Sequence, residues 1–340
     1  MMYKKYKDVL ENSESLYKEE EIKEMLDCIE KLHKGNYEIV LNSYHFSNLV
    51  GIKWKTLEFI INNMEKNYYN FNISKKSGGT RKINVPTESL ATCQKFIKEN
   101  ILDMVPIHDS ANGFANCKSI ITNAQMHINQ EMILNIDLKD FFPSIDSKKV
   151  FYVFHNLCGY STDLSYCFTK LVMYNGGLPQ GACTSPVLSN IVSFKMDIRL
   201  SNLAKKMGLT YTRYADDITF SGPKEKVNDG LLRIVTQIIN ESGYEINNKK
   251  TRFQSYKIKQ EVTGLIVSNG VVSVPKNYIK KIRQELYYIK KFGIIDHKIK
   301  SNINNRFYKE HLKGKIMFVY SINKVKGSEL LKQYNSIFDN

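Results

Sequence analysis

The sequence predicts a mixed α/β (α+β) chain in which a sheet-bearing centre is followed by a helical, basic C-terminal lobe. Three observations carry this. Short apolar runs bounded by polar residues, the pattern of buried strands, recur between residues 132 and 275. Apolar residues at three- and four-residue spacing mark helices around them. Residues 271–340 hold fifteen Lys and Arg against five Asp and Glu, whereas residues 1–40 hold seven against ten.

In chain order, residues 1–45 read as a helical N-terminal extension with Ile22, Leu26, Ile29 and Leu32 on one stripe. Residues 75–82, KKSGGTRK, form a turn-rich basic loop that leads through Pro86 into a helix opened by Thr87 as N-cap, with Leu90, Cys93, Ile97, Ile101 and Leu102 buried. MILNIDL (132–138) is a core strand carrying Asp137 near its end. Residues 185–207 read as one helical segment stopped by Gly208, and LTYTRY and ITFSG flank Ala215, Asp216 and Asp217 as a β-hairpin with acids at its tip. A helix from about 224 to 242 ends at Gly243, two further strands are expected in VTGLIVS and VVSVP, and the rest is helical, with Ile279, Ile282, Leu286 and Ile289 as one stripe.

Bulk numbers bound the function. At 340 residues the chain can build two or three lobes, and 42% hydrophobic with 24% charged residues match a globular protein rather than a membrane span. The N-terminus is too charged for a signal peptide, so a cytoplasmic protein without membrane contact is expected. Six cysteines show no paired short spacing, which argues against zinc and disulfides and makes them small buried apolar residues. The formal charge of +15 suits phosphate backbones, solubility being the plain alternative, and the C-terminal lobe is the expected nucleic-acid grip.

Joining a hydroxyl to a nucleoside triphosphate calls for charge compensation on the attacking and leaving oxygens, which two divalent ions held by carboxylates supply. Asp137 at a strand end and Asp216 with Asp217 on a hairpin tip could deliver those carboxylates from neighbouring strands. Three such charges together are costly unless cations neutralise them.

With Tyr214 and Ala215 before the acid pair, the sequence resembles the reverse-transcriptase family. Five motifs stand in that family's order: SGGTRKINVP (77–86), LNIDLKDFFPSI (134–145), GLPQGACTSPVLSN (177–190), the Tyr-Ala-Asp-Asp hairpin and GYEINNKKTRF (243–253). The resemblance implies a right-hand polymerase fold, with fingers and palm over 46–270, the palm an antiparallel sheet flanked by helices, and a helical thumb over 271–340. It implies an RNA-directed DNA polymerase using dNTPs and two Mg2+ ions, with Mn2+ as a substitute, at Asp137, Leu138, Asp216 and Asp217. Arg81 would clamp the triphosphate, helped by Lys76, for which a solvated loop charge is an equal reading. Phe142 would exclude a ribose 2′-hydroxyl unless it is a core phenylalanine. Gln180 and Ala215 would border the nucleotide, with Gly181 allowing its close approach. Lys250 would protonate pyrophosphate unless it is simply a surface lysine.

Two further elements resemble bacterial retron enzymes: Asn123-Ala124-Gln125-Met126-His127 and Val262-Thr263-Gly264. The resemblance implies that Asn123, His127, Val262, Thr263 and Gly264, with Lys276, Lys280 and Arg283 of the thumb, contact RNA, although a structural role is the alternative for His127. It implies a cognate noncoding RNA of the msr-msd type, priming from a guanosine 2′-hydroxyl, a branched RNA–DNA product, and antiphage defence with a separate effector protein. Cys183 departs from the proline of many relatives and is expected to alter loop stiffness only. The chain is expected to lack ribonuclease H, integrase and maturase regions. Another compact reverse transcriptase (group II intron-like or abortive-infection type), a decayed RNA-binding scaffold and an RNA-dependent RNA polymerase remain the rival readings.

Overall fold

The computed structural model describes Tyr6, Asp8 and residues 19–74 and 78–338, so Lys76 lies outside the described residues. Helix α1 (Glu19–Lys34) buries Ile29 and Leu32 in the main core, beside α2 (Ser43–Val50) and α3 (Trp54–Asn62). Strands β1 (Tyr68–Ser74) and β2 (Thr80–Pro86) form an antiparallel hairpin that sets Ile73 opposite Arg81. Helix α4 (Glu88–Asn100) buries Leu90, Cys93 and Ile97 as its spacing predicts. Thr87 holds the N-cap position as expected, but its side chain makes no capping hydrogen bond; its hydroxyl donates to Asn67 Oδ1 at 3.3 Å.

The central sheet has the order β4-β5-β3-β6, all neighbours antiparallel, from β3 (Met132–Asp137), β4 (Thr210–Tyr214), β5 (Asp217–Gly222) and β6 (Arg252–Ser255). Alternation along β3 splits its side chains between two faces. Leu134 and Ile136 join the large core, while Ile133 packs with Ala124 of α5 (Ile120–Gln125) and with Val262, Leu265 and Val267. After β3 come α6 (Ser147–Tyr152), a π-turn (Val153–Cys158) and α7 (Thr162–Val172).

Residues 185–207, expected as one helical segment, divide at Ser193 into α8 (Ser185–Val192) and α9 (Phe194–Met207). Ser193 is buried and its hydroxyl is hydrogen-bonded to that of Tyr244 at 3.0 Å, so the break lies where a polar side chain is satisfied inside the core. Gly208 ends α9 in the left-handed region. Helix α10 (Asp229–Glu241) starts later than its apolar pattern suggests, because the Asn228 side chain accepts from the Gly230 and Leu231 amides and caps it.

VTGLIVS, read as one strand, folds on itself as β7 (Glu261–Val262) and β8 (Leu265–Ile266), and VVSVP contributes only a bridge from Ser273 to Ile266. Thr263 and Gly264 make the turn with φ of 47° and 81°. Four helices follow: α11 (Lys276–Phe292), α12 (Ile294–Lys300), α13 (Tyr308–Ile322) and α14 (Lys324–Phe338). Ile279, Ile282, Leu286 and Ile289 meet Leu312, Ile316 and Val319 in a core separate from the central one. Among the described residues no helix is long and apolar enough to cross a membrane. All six cysteines are free thiols, and Cys117 and Cys183 are exposed rather than buried, each lying on a connecting segment outside the core.

Candidate active site

Antiparallel pairing brings the three acids together. Asp137, the last residue of β3, lies opposite Asp217, the first of β5, and the Leu138 amide donates to the Asp216 carbonyl at 2.9 Å. The Asp137 carboxylate accepts from Lys250 Nζ at 2.7 Å and from Asn247 Nδ2 at 3.2 Å. Burial raises the Asp216 carboxyl above its ordinary range, Asp137 adds to the rise, and its own amide, Lys250 and Arg81 oppose it. Asp217 is pushed up to about 6, by burial first and then by the charges of Asp216 and Asp137.

Hard oxygen donors that repel one another at neutral pH are the environment a divalent cation relieves. The donor set therefore fits such ions, although among the described residues no three His, Cys, Asp or Glu side chains already form a metal shell. Asp137 is turned toward Lys250 and Asn247. The Asp137 hydrogen bond raises the Lys250 ammonium above its ordinary value and keeps it charged.

Arg81 lies across from these acids. It shares with Asn84, Asp140, Tyr174 and Gln180 a cleft of about 290 Å³, and its charge is felt at Asp216. Phe142 is partly buried between Phe141 (5.6 Å between ring centroids) and Phe114 (6.2 Å). Ala215 sits at the hairpin turn, next to Asp216. A Cβ on Gly181 would collide with the Asn84 carbonyl oxygen, so the missing side chain lets β2 approach closely. The Asn84 amide then donates to the Gln180 carbonyl at 2.8 Å, joining the hairpin to the segment that bears Gln180. Asn247 and Phe114 escaped the sequence reading; Asn247 lies inside the GYEINNKKTRF motif, three residues before Lys250, whereas Phe114 carries no local signal.

A family model described as reverse transcriptase (RNA-dependent DNA polymerase) matches residues 73–271. The chain is 37% identical over 253 residues to the retron Ec86 reverse transcriptase of Escherichia coli, covering 74% of this chain and 79% of that one. The chain belongs to the bacterial retron reverse transcriptases. It is also 33% identical over 254 residues to the retron Se72 enzyme of Salmonella heidelberg (strain 579083-10), covering 73% of this chain and 67% of that one. With the retron Mx162 enzyme of Myxococcus xanthus it shares 32% over 302 residues, 79% of this chain and 61% of that longer one. This retron reverse transcriptase is thus an RNA-directed DNA polymerase, a nucleotidyltransferase whose domain works with divalent metal on an RNA partner.

The two retron-like elements meet in the structure of this reverse transcriptase, with part of each below its surface. Asn123, His127 and Val262 are buried, which corrects the expectation that their side chains reach RNA; Gln125 and Met126 of the first element and Thr263 and Gly264 at the turn meet solvent. The Thr263 hydroxyl donates to the Ile120 carbonyl at 3.2 Å, tying the β7–β8 turn to α5. His127 shares hydrogen bonds of 2.7 Å with Thr212 Oγ1 on β4 and Ser221 Oγ on β5, so it staples the strands whose tip carries the acids. The Asn123 side-chain amide finds no hydrogen-bond partner among the described residues.

Burial holds the His127 imidazole down to about 3. An unfolded histidine titrates near 6.5, so below that pH the unfolded chain binds the extra proton and stability is lost as pH falls. Between pH 7 and pH 5 this amounts to about 2 kcal/mol. Denaturant unfolding of His127→Gln should therefore show a shallower loss over that interval than the native chain; parallel curves would contradict a neutral buried imidazole.

Proposed function

We propose that this reverse transcriptase copies part of a cognate structured noncoding RNA of the msr-msd type, extending a guanosine 2′-hydroxyl with dNTPs to leave branched multicopy single-stranded DNA. The observation that carries the reading is the convergence of Asp137, Asp216 and Asp217 beside the cleft of Arg81 and Gln180, in a chain whose relatives are retron enzymes.

We assign two Mg2+ ions, replaceable by Mn2+, to Asp137, Asp216 and Asp217 with Leu138 beside them. Such ions lower the charge on the attacking oxygen and on the departing pyrophosphate. The remaining roles fall to the chain itself. Arg81 clamps the triphosphate with its planar fork of donors. Gln180 and Ala215 border the nucleotide, and Phe142 lies under the sugar. Lys250, kept protonated by Asp137, donates to the departing pyrophosphate.

The fingers and palm occupy residues 46–270 and the thumb 271–340 in this reading. On α11, Lys276, Lys280 and Arg283 are exposed while Ile279, Ile282 and Leu286 are buried, a pattern that suits a helix laid along an A-form backbone. Changing these three cations together to glutamine should weaken RNA binding and lower the slope of log affinity against log salt by about 2. A slope left unchanged in filter binding would move the RNA track elsewhere.

The substrates are cytoplasmic molecules, and we place the enzyme with them, acting in antiphage defence beside a separate effector protein. Purifying the enzyme from its native operon and sequencing the nucleic acid bound to it tests the whole reading. A covalently branched RNA–DNA species is expected; unbranched DNA, or none, would overturn the priming step.

A further inference from the structure

The tip that carries Asp216 and Asp217 turns on a residue poorly suited to turn there. Ala215 has φ of 56°, in the left-handed region where a Cβ crowds the neighbouring carbonyl and glycine is the usual occupant. Two clamps hold it. On one side Gly113 comes so close that a Cβ built on it would lie 2.6 Å from the Ala215 nitrogen.

Arg213 supplies the other clamp. Its Nη1 donates to the Ala215 carbonyl at 3.2 Å and to Asn190 Oδ1 at 3.1 Å, while Nε and Nη2 donate to Asp197 Oδ1 and Oδ2 at 2.8 and 2.6 Å. Four of the five guanidinium donors are thereby used. Asn190 Nδ2 donates to the Gly113 carbonyl at 2.8 Å, which joins the two clamps, and the Tyr211 hydroxyl donates to Asp197 Oδ1 at 2.7 Å. Arg213, Asn190 and Asp197 are all fully buried. The Arg213 backbone is fixed too, its amide donating to the Ser110 carbonyl at 2.8 Å and its carbonyl accepting from the Asn112 amide at 2.7 Å.

Stability alone gives a weak reason for this arrangement. A buried ion pair rarely outperforms apolar side chains of equal volume, and lysine would match the charge without the fork. What the fork adds is simultaneous reach to Asp197, to Asn190 and to the turn.

We propose that Arg213 is a positioning residue for nucleotidyl transfer: it holds Ala215 in the left-handed conformation and so fixes the direction in which the Asp216 and Asp217 carboxylates leave the hairpin. It touches neither substrate nor metal. The proposal rests on the assignment of those aspartates as metal ligands.

The test compares Arg213→Lys, and the paired Arg213→Met with Asp197→Leu, in the native chain and in an A215G background. The paired change removes both charges and leaves neither orphaned. In the native background, kcat for dNTP incorporation on a preformed primer–template should fall about 30-fold or more, with the nucleotide KM and primer–template Kd within about threefold. In the A215G background the same changes should cost less than about threefold in kcat, because glycine adopts the turn without a clamp.

A kcat within threefold of the native enzyme in the native background would overturn the proposal. So would equal losses in both backgrounds, which would mark Arg213 as a support of the fold only. If the paired variant fails to fold, Arg213→Lys decides by the same comparison. Asp216→Asn and Asp217→Asn separate the two assignments: undiminished extension by both would sink the metal reading, whereas their inactivity together with equal Arg213 losses in both backgrounds would sink the Arg213 proposal alone.

Discussion

Asp217→Asn should lower primer extension by about three orders of magnitude or more while the fold and RNA affinity persist. The substitution keeps the size and shape of the side chain and removes one of the anionic oxygens that would hold the proposed cations. The fold should tolerate it well, because the carboxylate is under electrostatic pressure rather than in a stabilising pair. Its folded pKa, about 6, lies above the unfolded value near 3.8, so the ionised form costs folding free energy at neutral pH. That cost shrinks as pH falls through 6 and is gone below the unfolded value. Asp217 also meets solvent, which screens part of the repulsion, so the gain is small: melting in EDTA at pH 7 should rise by about 1–3 °C. An inactive variant that melts no lower than its parent separates function from stability. Undiminished extension by both Asp217→Asn and Asp216→Asn would refute the metal assignment.

Much of the central fold was legible because its strands announce themselves. Leu134 and Ile136 on one side of β3 and Ile133 on the other each found a core, and the apolar stripe of α11 met α13 as its spacing implied. Boundaries were less legible where a side-chain hydrogen bond overrode periodicity. The division of α8 from α9 falls at Ser193, whose hydroxyl is bonded to that of Tyr244, and Asn228 starts α10 after the apolar pattern begins. VTGLIVS reads as one strand because β-branched and apolar residues dominate it; Thr263 and Gly264 fold it back, and only Gly264 signals that in the sequence.

The acidic cluster was legible because its chemistry sits on strand ends, and pairing then converted sequence distance into proximity. Its supports were not. Asp197 is one charged residue on a helix full of them, and its contact with Arg213 is fixed only by the tertiary packing of α9 against β4. His127 and Asn123 show the opposite error: short motifs suggest a surface that reads RNA, whereas packing of α5 under the β7–β8 turn buries them. Only exposure, which a motif does not encode, separates a contact from a support for the surface that makes it.

Phe142→Val should reduce discrimination against ribonucleotides by about 100-fold, mainly by raising kcat/KM for ribonucleotides and with only a several-fold loss for deoxynucleotides. A steric gate works only if its ring cannot retreat, and the surroundings of Phe142 resist retreat. Behind it stands Phe141, buried, with Tyr244 at 5.5 Å between centroids and the Arg213 guanidinium 5.9 Å from its ring. Beside it stands Phe114, which in turn approaches Tyr214 at 6.5 Å. Its carbonyl accepts from the Leu178 amide at 3.0 Å and the Ile145 amide at 3.2 Å, so the backbone cannot yield either. Valine shortens the side chain without loosening that frame, and space opens where a 2′-hydroxyl would otherwise collide. Competition between each dNTP and its ribonucleotide on one RNA template measures the effect, and an unchanged ratio would leave Phe142 as a packing residue of the aromatic cluster.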